Sequence, residues 1–587
     1  MNYNLNSDIE SRQAKKTTLG SLRTLISNMV EEKKTLLTAF IAMQIAAALS
    51  LMGPILIGYT VNKYIVTKQY HGVLVFSGIL LIMYLISLGA GYIQAKLMGT
   101  VGQRMLFTLR NNLFQKLQSL PVDFFNQNKT GDLISRINND TDNINQFFSQ
   151  SLMQFVRSVM IMIGAAIFLV SINWKLGLAS LAPAIFIWIF TQFISPWVKN
   201  RNAVNLRNVG FLSSEVQESL NNFKVVVAFN RRDYFRHRFD KANKDNYDSA
   251  VKAGIANNLF QPVYTLFSNI GQMVVLTFGI YLISVHQFTI GMLISFLAYI
   301  GNFYNPLRQM AGLWANFQLA LAAWDRIHRI LNMENNLPLL ETGKKNESDS
   351  LMSFKEVSFA YPNGTEVLHN ISFDLTKGKT YAFVGPTGGG KTTTASLISR
   401  LYDPTKGSVL LNGRDIRTFT DEERTQKIGF ILQEPFLFSG TLRDNILYGN
   451  EKYRDHNNEE LEKIFSDAGL EQLLQRFDER LETRVESSGE GISLGQKQLI
   501  AFMRAVLRRP DLLILDEATA NIDTVTEKLL EDILDKLPQT TTKVIIAHRL
   551  NTIANADVIY FVNTGTITRA GSLEDAINML MEGKVAS

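Results

Sequence analysis

The stretch "KTYAFVGPTGGGKTTTASLISRLY", residues 379–402, decides how the second half of this 587-residue chain folds. Apolar β-formers lead into four glycines among six residues, and a Thr-rich helix-forming segment follows. Glycines let backbone N–H groups close on an anion, and the positive end of the next helix favours negative charge there. Gly-x-x-x-x-Gly-Lys-Thr between a strand and a helix therefore predicts a phosphate-binding loop. Gly385, Gly388 and Gly390 permit the close backbone approach. Lys391 suits β- and γ-phosphate charge, and the Thr392 hydroxyl suits Mg2+. Thr393 is counted with them as a nucleotide contact.

Two further apolar runs belong to the same α/β pattern. "LLILDEATANID" (512–523) ends in two acids, and the C-terminal ends of strands are where such a sheet binds ligand. Asp516 suits a water-mediated Mg2+ contact, and Glu517 suits a general base that polarises the attacking water. "KVIIAH" (543–548) delivers His548, a structural histidine if taken alone and a transition-state stabiliser beside a γ-phosphate. A second glycine-bearing helix start, "GEGISLGQKQ" (489–498), also has the character of a phosphate cradle. One domain thus carries two cradles.

The first half reads differently. Residues 35–62, 72–95, 158–174 and 176–198 contain no Asp, Glu, Lys or Arg, and Ala253 to Leu307 are equally free of them. A membrane-crossing helix needs about 20 mostly apolar residues. Breaking the last run at "SVHQF" (284–288) gives six spans, near 35–62, 72–98, 150–172, 176–198, 259–283 and 288–310. Segments 96–157 and 199–252 hold eighteen Lys and Arg, whereas the alternate connections hold only Lys63, Lys68 and Lys175. That bias places the long, helix-patterned loops and both termini in the cytoplasm. "LGSLRTLISNMV" (19–30) reads as an interfacial amphipathic helix. No cleavable signal peptide is expected in the polar, basic start.

The net charge of +6 follows from this topology and does not call for nucleic acid. With Cys 0, disulfides, thiolate metal sites and Cys nucleophiles are excluded. No carboxylate interrupts the apolar runs, so ion-coupled transport is disfavoured and the energy source lies elsewhere in the chain. Gln44, Gln94, Gln154, Asn269, Gln272 and Asn302 remain as uncharged polar groups, for helix–helix hydrogen bonds or a substrate cavity. "ENNLPLLETGKKNESDS" (334–350) reads as a linker. The expected organisation is a cytoplasmic N-terminus (1–33), a six-helix membrane domain (34–330), a linker (331–350) and an α/β P-loop NTPase domain (351–587).

Together these motifs resemble an ATP-binding-cassette exporter half-transporter, and the resemblance covers nearly the whole chain. It implies ATP and Mg2+ as cofactors. Tyr361 in "FAYPNG" is similar to the aromatic that stacks on adenine, and Gln433 in "ILQEPFLFSGTLRDNI" to the Q-loop glutamine that reaches Mg2+ and contacts the membrane domain. Asp523 in "ANID" is similar to the D-loop aspartate, and "PVDFFNQNKTGDLISRINND" (121–140) to the first coupling region. "ISLGQ" (492–496) resembles the signature Leu-Ser-x-Gly-Gln, which implies that Ser493, Gly495 and Gln496 close over ATP held by another subunit. The second cradle then serves a partner, and the chain must dimerise.

Glu486-Ser487 and the "ANID" D-loop resemble the catalytically complete chain of heterodimeric multidrug exporters, so a heterodimer is favoured over a homodimer. The implied activity is ATP-driven export of hydrophobic or amphipathic compounds across the cytoplasmic membrane of a bacterial cell. A lipid flippase or peptide exporter would share these motifs. A gated channel and a clamp-like ATPase without transport are the readings from other classes.

Overall fold

The computed structural model describes residues 3, 5, 32–335, 337–341, 350–362, 364–486, 491–516, 524–546, 553 and 555–585. The amphipathic helix expected at 19–30 lies outside them. By internal contacts the chain divides into two units: residues 11–118 with 131–333, and residues 1–10, 119–130 and 334–587.

The first unit is helical. Its principal elements are α1 (Lys33–Thr60) and α2 (Tyr70–Gln118). The short α3 (Val122–Gln127) follows in sequence but belongs to the other unit. Then come α4 (Leu152–Ile172), α5 (Trp174–Leu181), α6 (Pro183–Asn221), α7 (Arg232–Asn258), α8 (Phe260–Ser284) and α9 (Ile290–Leu331). The long loops expected at 96–157 and 199–252 are indeed mostly helix, and α2 alone runs 49 residues, about 70 Å at 1.5 Å per residue. The break at "SVHQF" falls where His286 adopts a positive φ of 57° and Thr289 caps α9 by accepting from the Met292 N–H at 3.3 Å.

Among the described residues, five helical stretches are long and apolar enough to cross a membrane: Lys33–Ile65, Tyr70–Gln118, Thr130–Ile172, Trp174–Asn221 and Arg232–Ser284. The sixth apolar run also folds as a helix, α9. Its second half is diluted by Tyr299, Asn302, Tyr304, Asn305 and Pro306, so it is the least apolar of the six. The fourth span, expected near 176–198, lies within the helical stretch Trp174–Asn221, in which Ala182 keeps helical dihedrals while Pro183, lacking an N–H, drops one bond of the ladder between α5 and α6. Leu88 and Phe193 are 70% and 79% exposed, on faces that hydrocarbon would cover.

Small residues let these helices touch. A Cβ on Gly291 would lie 2.0 Å from the Gly58 carbonyl oxygen, so α1 and α9 meet backbone to backbone. Ser295 donates to the Pro54 carbonyl at 2.7 Å, and Asn62 accepts from the Gly291 N–H at 2.8 Å while donating to Thr289 at 2.7 Å. Away from the apolar spans, Arg326 grips the buried Asp140 with two bonds of 2.7 and 2.5 Å. Arg238 on α7 joins Glu215 (2.6 Å) and Glu218 (3.2 Å) on α6.

The second unit is α/β. Its main elements are β1 (Ser350–Ala360), β2 (Glu366–Thr376), β3 (Thr380–Val384), α10 (Lys391–Ile398), β4 (Lys406–Leu411), β5 (Arg414–Asp415) and β6 (Ile428–Ile431). They continue with α11 (Leu442–Ile446), α12 (Leu494–Leu507), β7 (Leu512–Asp516), α13 (Thr524–Asp535), β8 (Thr542–Ile546), β9 (Val558–Asn563) and β10 (Thr566–Ala570). An antiparallel sheet runs in the order β2-β1-β4-β5. A six-stranded sheet runs β10-β9-β3-β8-β7-β6, parallel except for β10. Strands buried on both faces account for the unbroken apolar runs at β3, β7 and β8. One core packs Leu513, Leu515 and Ile545 under α12, and the other packs Phe383, Ile514 and Val544 against the antiparallel sheet.

Candidate functional site

β3 ends at Val384, and the chain turns at once into the glycine loop. Gly385 passes so close to the next strand that a Cβ would lie 1.9 Å from the Val562 carbonyl oxygen. Gly390 caps α10 with φ 112°, a left-handed conformation that a side chain would strain. Lys391 is only 6% exposed, and its ammonium donates to the Gly385 and Pro386 carbonyls at 2.8 and 2.9 Å. The cation therefore folds back over the cradle and holds the loop closed on itself. Thr392 is exposed, whereas Thr393 is buried.

Parallel order sets the rest. β3, β8, β7 and β6 lie side by side and point the same way, so Gly385, Asp516 and the segment leading to Gln433 share one sheet edge. Asp516 is 3% exposed at the last position of β7 and pairs across with Ile546 of β8. Gln433 follows β6 by two residues and is exposed. Glu517, Asp523 and His548 lie outside the described residues. Ligands of α/β sheets bind at such carboxyl ends.

Tyr361 sits in the tight turn between β1 and β2, its N–H bonded to the Thr365 carbonyl at 3.1 Å. Its hydroxyl is 3.1 Å from the Thr393 hydroxyl, so the expected adenine platform and the helix after the P-loop are directly joined. Tyr402 packs edge-on against Tyr361, with centroids 5.4 Å apart and planes at 88°. Burial pushes the Tyr402 phenol above its ordinary pKa, against a smaller opposing effect of the Asn126 amide that bonds it. Asn126, on α3, donates to the Tyr402 hydroxyl at 2.7 Å. No local pattern marks Tyr402, because its place rests on neighbours 41 and 276 residues away.

The other cradle is a well-formed helix start. Ser493 caps α12 by accepting from the Gln496 N–H at 3.2 Å, and Gln496 accepts from the Ser493 N–H at 3.0 Å, a reciprocal capping box. Ser493 and Leu494 are exposed, and Gly495 lies in the first turn. Further along α12, Arg504 donates to the Asn445 carbonyl at 2.7 Å and the Phe436 carbonyl at 3.3 Å. Asn445, fully buried on α11, bonds the Phe438 N–H at 2.8 Å and the Phe438 and Thr441 carbonyls at 2.8 and 3.0 Å. The segment after Gln433 is thereby fastened to the helix that starts at Ser493. Burial holds the Arg504 guanidinium below its ordinary pKa.

The structure thus brings Tyr361, Gly385, Gly388, Gly390, Lys391, Thr392 and Thr393 together on neighbouring elements, and aligns Asp516 and Gln433 along the same edge. Ser493, Gly495 and Gln496 stand on a separate element.

Comparison with known proteins fits this geometry. The family profile described as ABC transporter transmembrane region matches residues 36–307, and that described as ABC transporter matches residues 368–520. The uncharacterized ABC transporter ATP-binding protein YfiC of Bacillus subtilis (strain 168) is 32% identical over 97% of this chain and 94% of its own. A fatty acid ABC transporter ATP-binding/permease protein of Mycobacterium bovis is 33% identical over 84% of this chain and 77% of its own. A multidrug resistance ABC transporter ATP-binding and permease protein of Lactococcus lactis subsp. lactis is 30% identical over 84% and 83%. The fold matches the solved structure of a bacterial Atm1-family ABC exporter with ATP bound, with a TM-score of 0.77, 24% identity, and coverage of 94% of this chain and 98% of that one. With both family profiles matched in one chain and a relative 32% identical over 97% of it, this protein is a member of the ABC transporter family, which couples ATP hydrolysis to movement across a membrane.

Proposed function

We propose that this chain is one half of a dimeric exporter that moves hydrophobic or amphipathic compounds out through the cytoplasmic membrane. The observation that carries it is the pairing, in one chain, of a self-held P-loop with an exposed, capped signature helix start. Lys391, Thr392 and the glycine loop take the phosphates of the chain's own ATP, and Tyr361 takes its adenine. The Thr392 hydroxyl, Asp516 carboxylate and Gln433 amide are hard oxygen donors of the kind Mg2+ accepts beside phosphate. Ser493, Gly495 and Gln496, with Asp523, face the partner's ATP, while Glu517 activates water and His548 steadies the developing charge.

Closing two such domains over two nucleotides drives alternating access. Moving an inward-facing state from 99:1 to 1:99 takes roughly 5.5 kcal/mol of differential binding, which two shared triphosphates can supply. A heterodimer is favoured by the Glu486-Ser487 and "ANID" features. Relatives named for fatty acids and for multidrug resistance support an amphipathic cargo.

The test is Mg-ATPase activity of the purified chain in lipid nanodiscs, with Glu517→Gln as control. Turnover that vanishes in the variant shows two complete sites in a homodimer and overturns the heterodimer. Negligible turnover in a folded, ATP-binding chain calls for a second subunit. Equal turnover in both overturns Glu517 as the base. ATP-dependent uptake into inside-out vesicles tests export itself.

A further inference from the structure

Resting on the export reading above, we infer that the cargo carries an anionic head group and that Arg157 is its counter-ion. A cavity of about 500 Å³ opens among α2, α4 and α9, within the size range of small-molecule sites. Its walls bear the amides of Gln94, Gln154, Asn302, Asn305 and Gln309, and one charged residue, Arg157. No carboxylate is among the lining residues, and no hydrogen bond or ion pair engages the Arg157 guanidinium among the described residues. By contrast, Gln154 donates to Gln309 at 3.4 Å, so the amide wall is linked across α4 and α9.

Arg157 stands immediately before the uncharged run 158–174, at the edge of an apolar span. A cation at that depth is costly unless it meets an anion or water. The guanidinium fork matches a carboxylate or a phosphate with two parallel bonds, and the surrounding amides can bond the remaining oxygens. Ala95 on α2, Ile161 on α4 and Pro306 on α9 line the same cavity and offer apolar contact to a hydrocarbon tail. An amphiphile with an anionic head satisfies both halves of the cavity. A cationic one would meet like charge.

The experiment uses the full chain in phosphatidylcholine nanodiscs without nucleotide, with partition into empty nanodiscs subtracted. Dodecanoate and dodecyl phosphate should bind saturably, and dodecanol and dodecyltrimethylammonium about tenfold more weakly. The two acids distinguish a carboxylate head from a phosphate head. Arg157→Gln should weaken the acids about tenfold and leave dodecanol unchanged, while Arg157→Lys, which keeps the charge and loses the fork, should bind the acids less tightly than wild type yet keep their preference over dodecanol. Fluorescent ATP-analogue binding checks that each variant is folded. If Arg157→Gln fails to fold, the wild-type selectivity and Arg157→Lys decide. Equal wild-type affinity for acid, alcohol and ammonium overturns the inference. So does the absence of saturable binding, or an equal loss of acid and alcohol in Arg157→Gln. Acid-selective binding without ATP-dependent vesicle uptake would overturn export and leave this site standing. Uptake of other compounds without acid selectivity would do the reverse.

Discussion

The Asn126 amide donates to the Tyr402 hydroxyl at 2.7 Å, and the Tyr402 ring stands edge-on to Tyr361. A residue of the coupling segment is thereby two contacts from the expected adenine platform. The same segment is clasped by the N-terminus: Gln127 and Asn128 side chains accept the Tyr3 and Leu5 N–H groups at 2.8 and 3.1 Å. A neutral hydrogen bond of this kind is worth about 0.5–1.5 kcal/mol net. Asn126→Ala and Tyr402→Phe should each lower substrate stimulation of ATPase several-fold, and the double variant should be no worse than either single one. Additive losses would show that the pair does not act as a unit.

Lys391 has two jobs that can be separated. Its bonds to the Gly385 and Pro386 carbonyls hold the loop before nucleotide arrives. Lys391→Met should therefore lower the nucleotide-free Tm by several degrees, since about 1 kcal/mol corresponds to 2–4 °C at this size, as well as abolish most ATP affinity. Unchanged apo stability, read by thermal unfolding, would show that the backbone holds the loop unaided.

Gly385→Ala tests the strand contact. The new methyl would overlap the Val562 carbonyl in a buried sheet, and overpacking costs about 1–3 kcal/mol or more. Expression as folded, ATP-binding protein with wild-type Tm would disprove that contact.

Asn445 tests the fastening between the Q-loop segment and the signature helix. Asn445→Ala strands three backbone partners and removes one bond of Arg504, which keeps the Asn445 and Phe436 carbonyls, at roughly 1–3 kcal/mol for each buried group left unpaired. Thermal unfolding should show a Tm drop larger than that of Asn458→Ala, a half-buried Asn at a helix start whose side chain bonds only the Arg443 and Glu482 side chains.

Asp444 predicts a pH signature. The Thr441 N–H and then its hydroxyl, at 2.9 and 2.8 Å, hold the Asp444 carboxyl below its ordinary range. Because the folded value lies below the unfolded one, the stabilisation is present above the unfolded pKa of about 3.9 and fades as pH falls through the folded value. The Tm gap between wild type and Asp444→Asn should hold from pH 7 to about 5 and close toward pH 3. A gap that widens on acidification would contradict the assignment.

The sequence alone determined the elements and marked the residues that the structure gathers around the glycine loop. Charge-free runs long enough to cross hydrocarbon, the 284–288 break and the strand–glycine–helix at 379–402 are local patterns, and local backbone chemistry is what they encode. The helix start at Ser493, with its capping box, was likewise legible from its neighbours in sequence alone. The tertiary structure decided what depends on distant partners. Residues 119–130 join the ATP-binding unit although they are flanked by helices of the other unit. Tyr402 gains its place from Tyr361 and Asn126, and Gln94, Gln154 and Asn302, which the sequence assigns first to pairing helices, line one cavity with Arg157, where Gln154 does bond Gln309 across two helices. Periodicity tells a residue which face it occupies; only packing tells it what stands opposite.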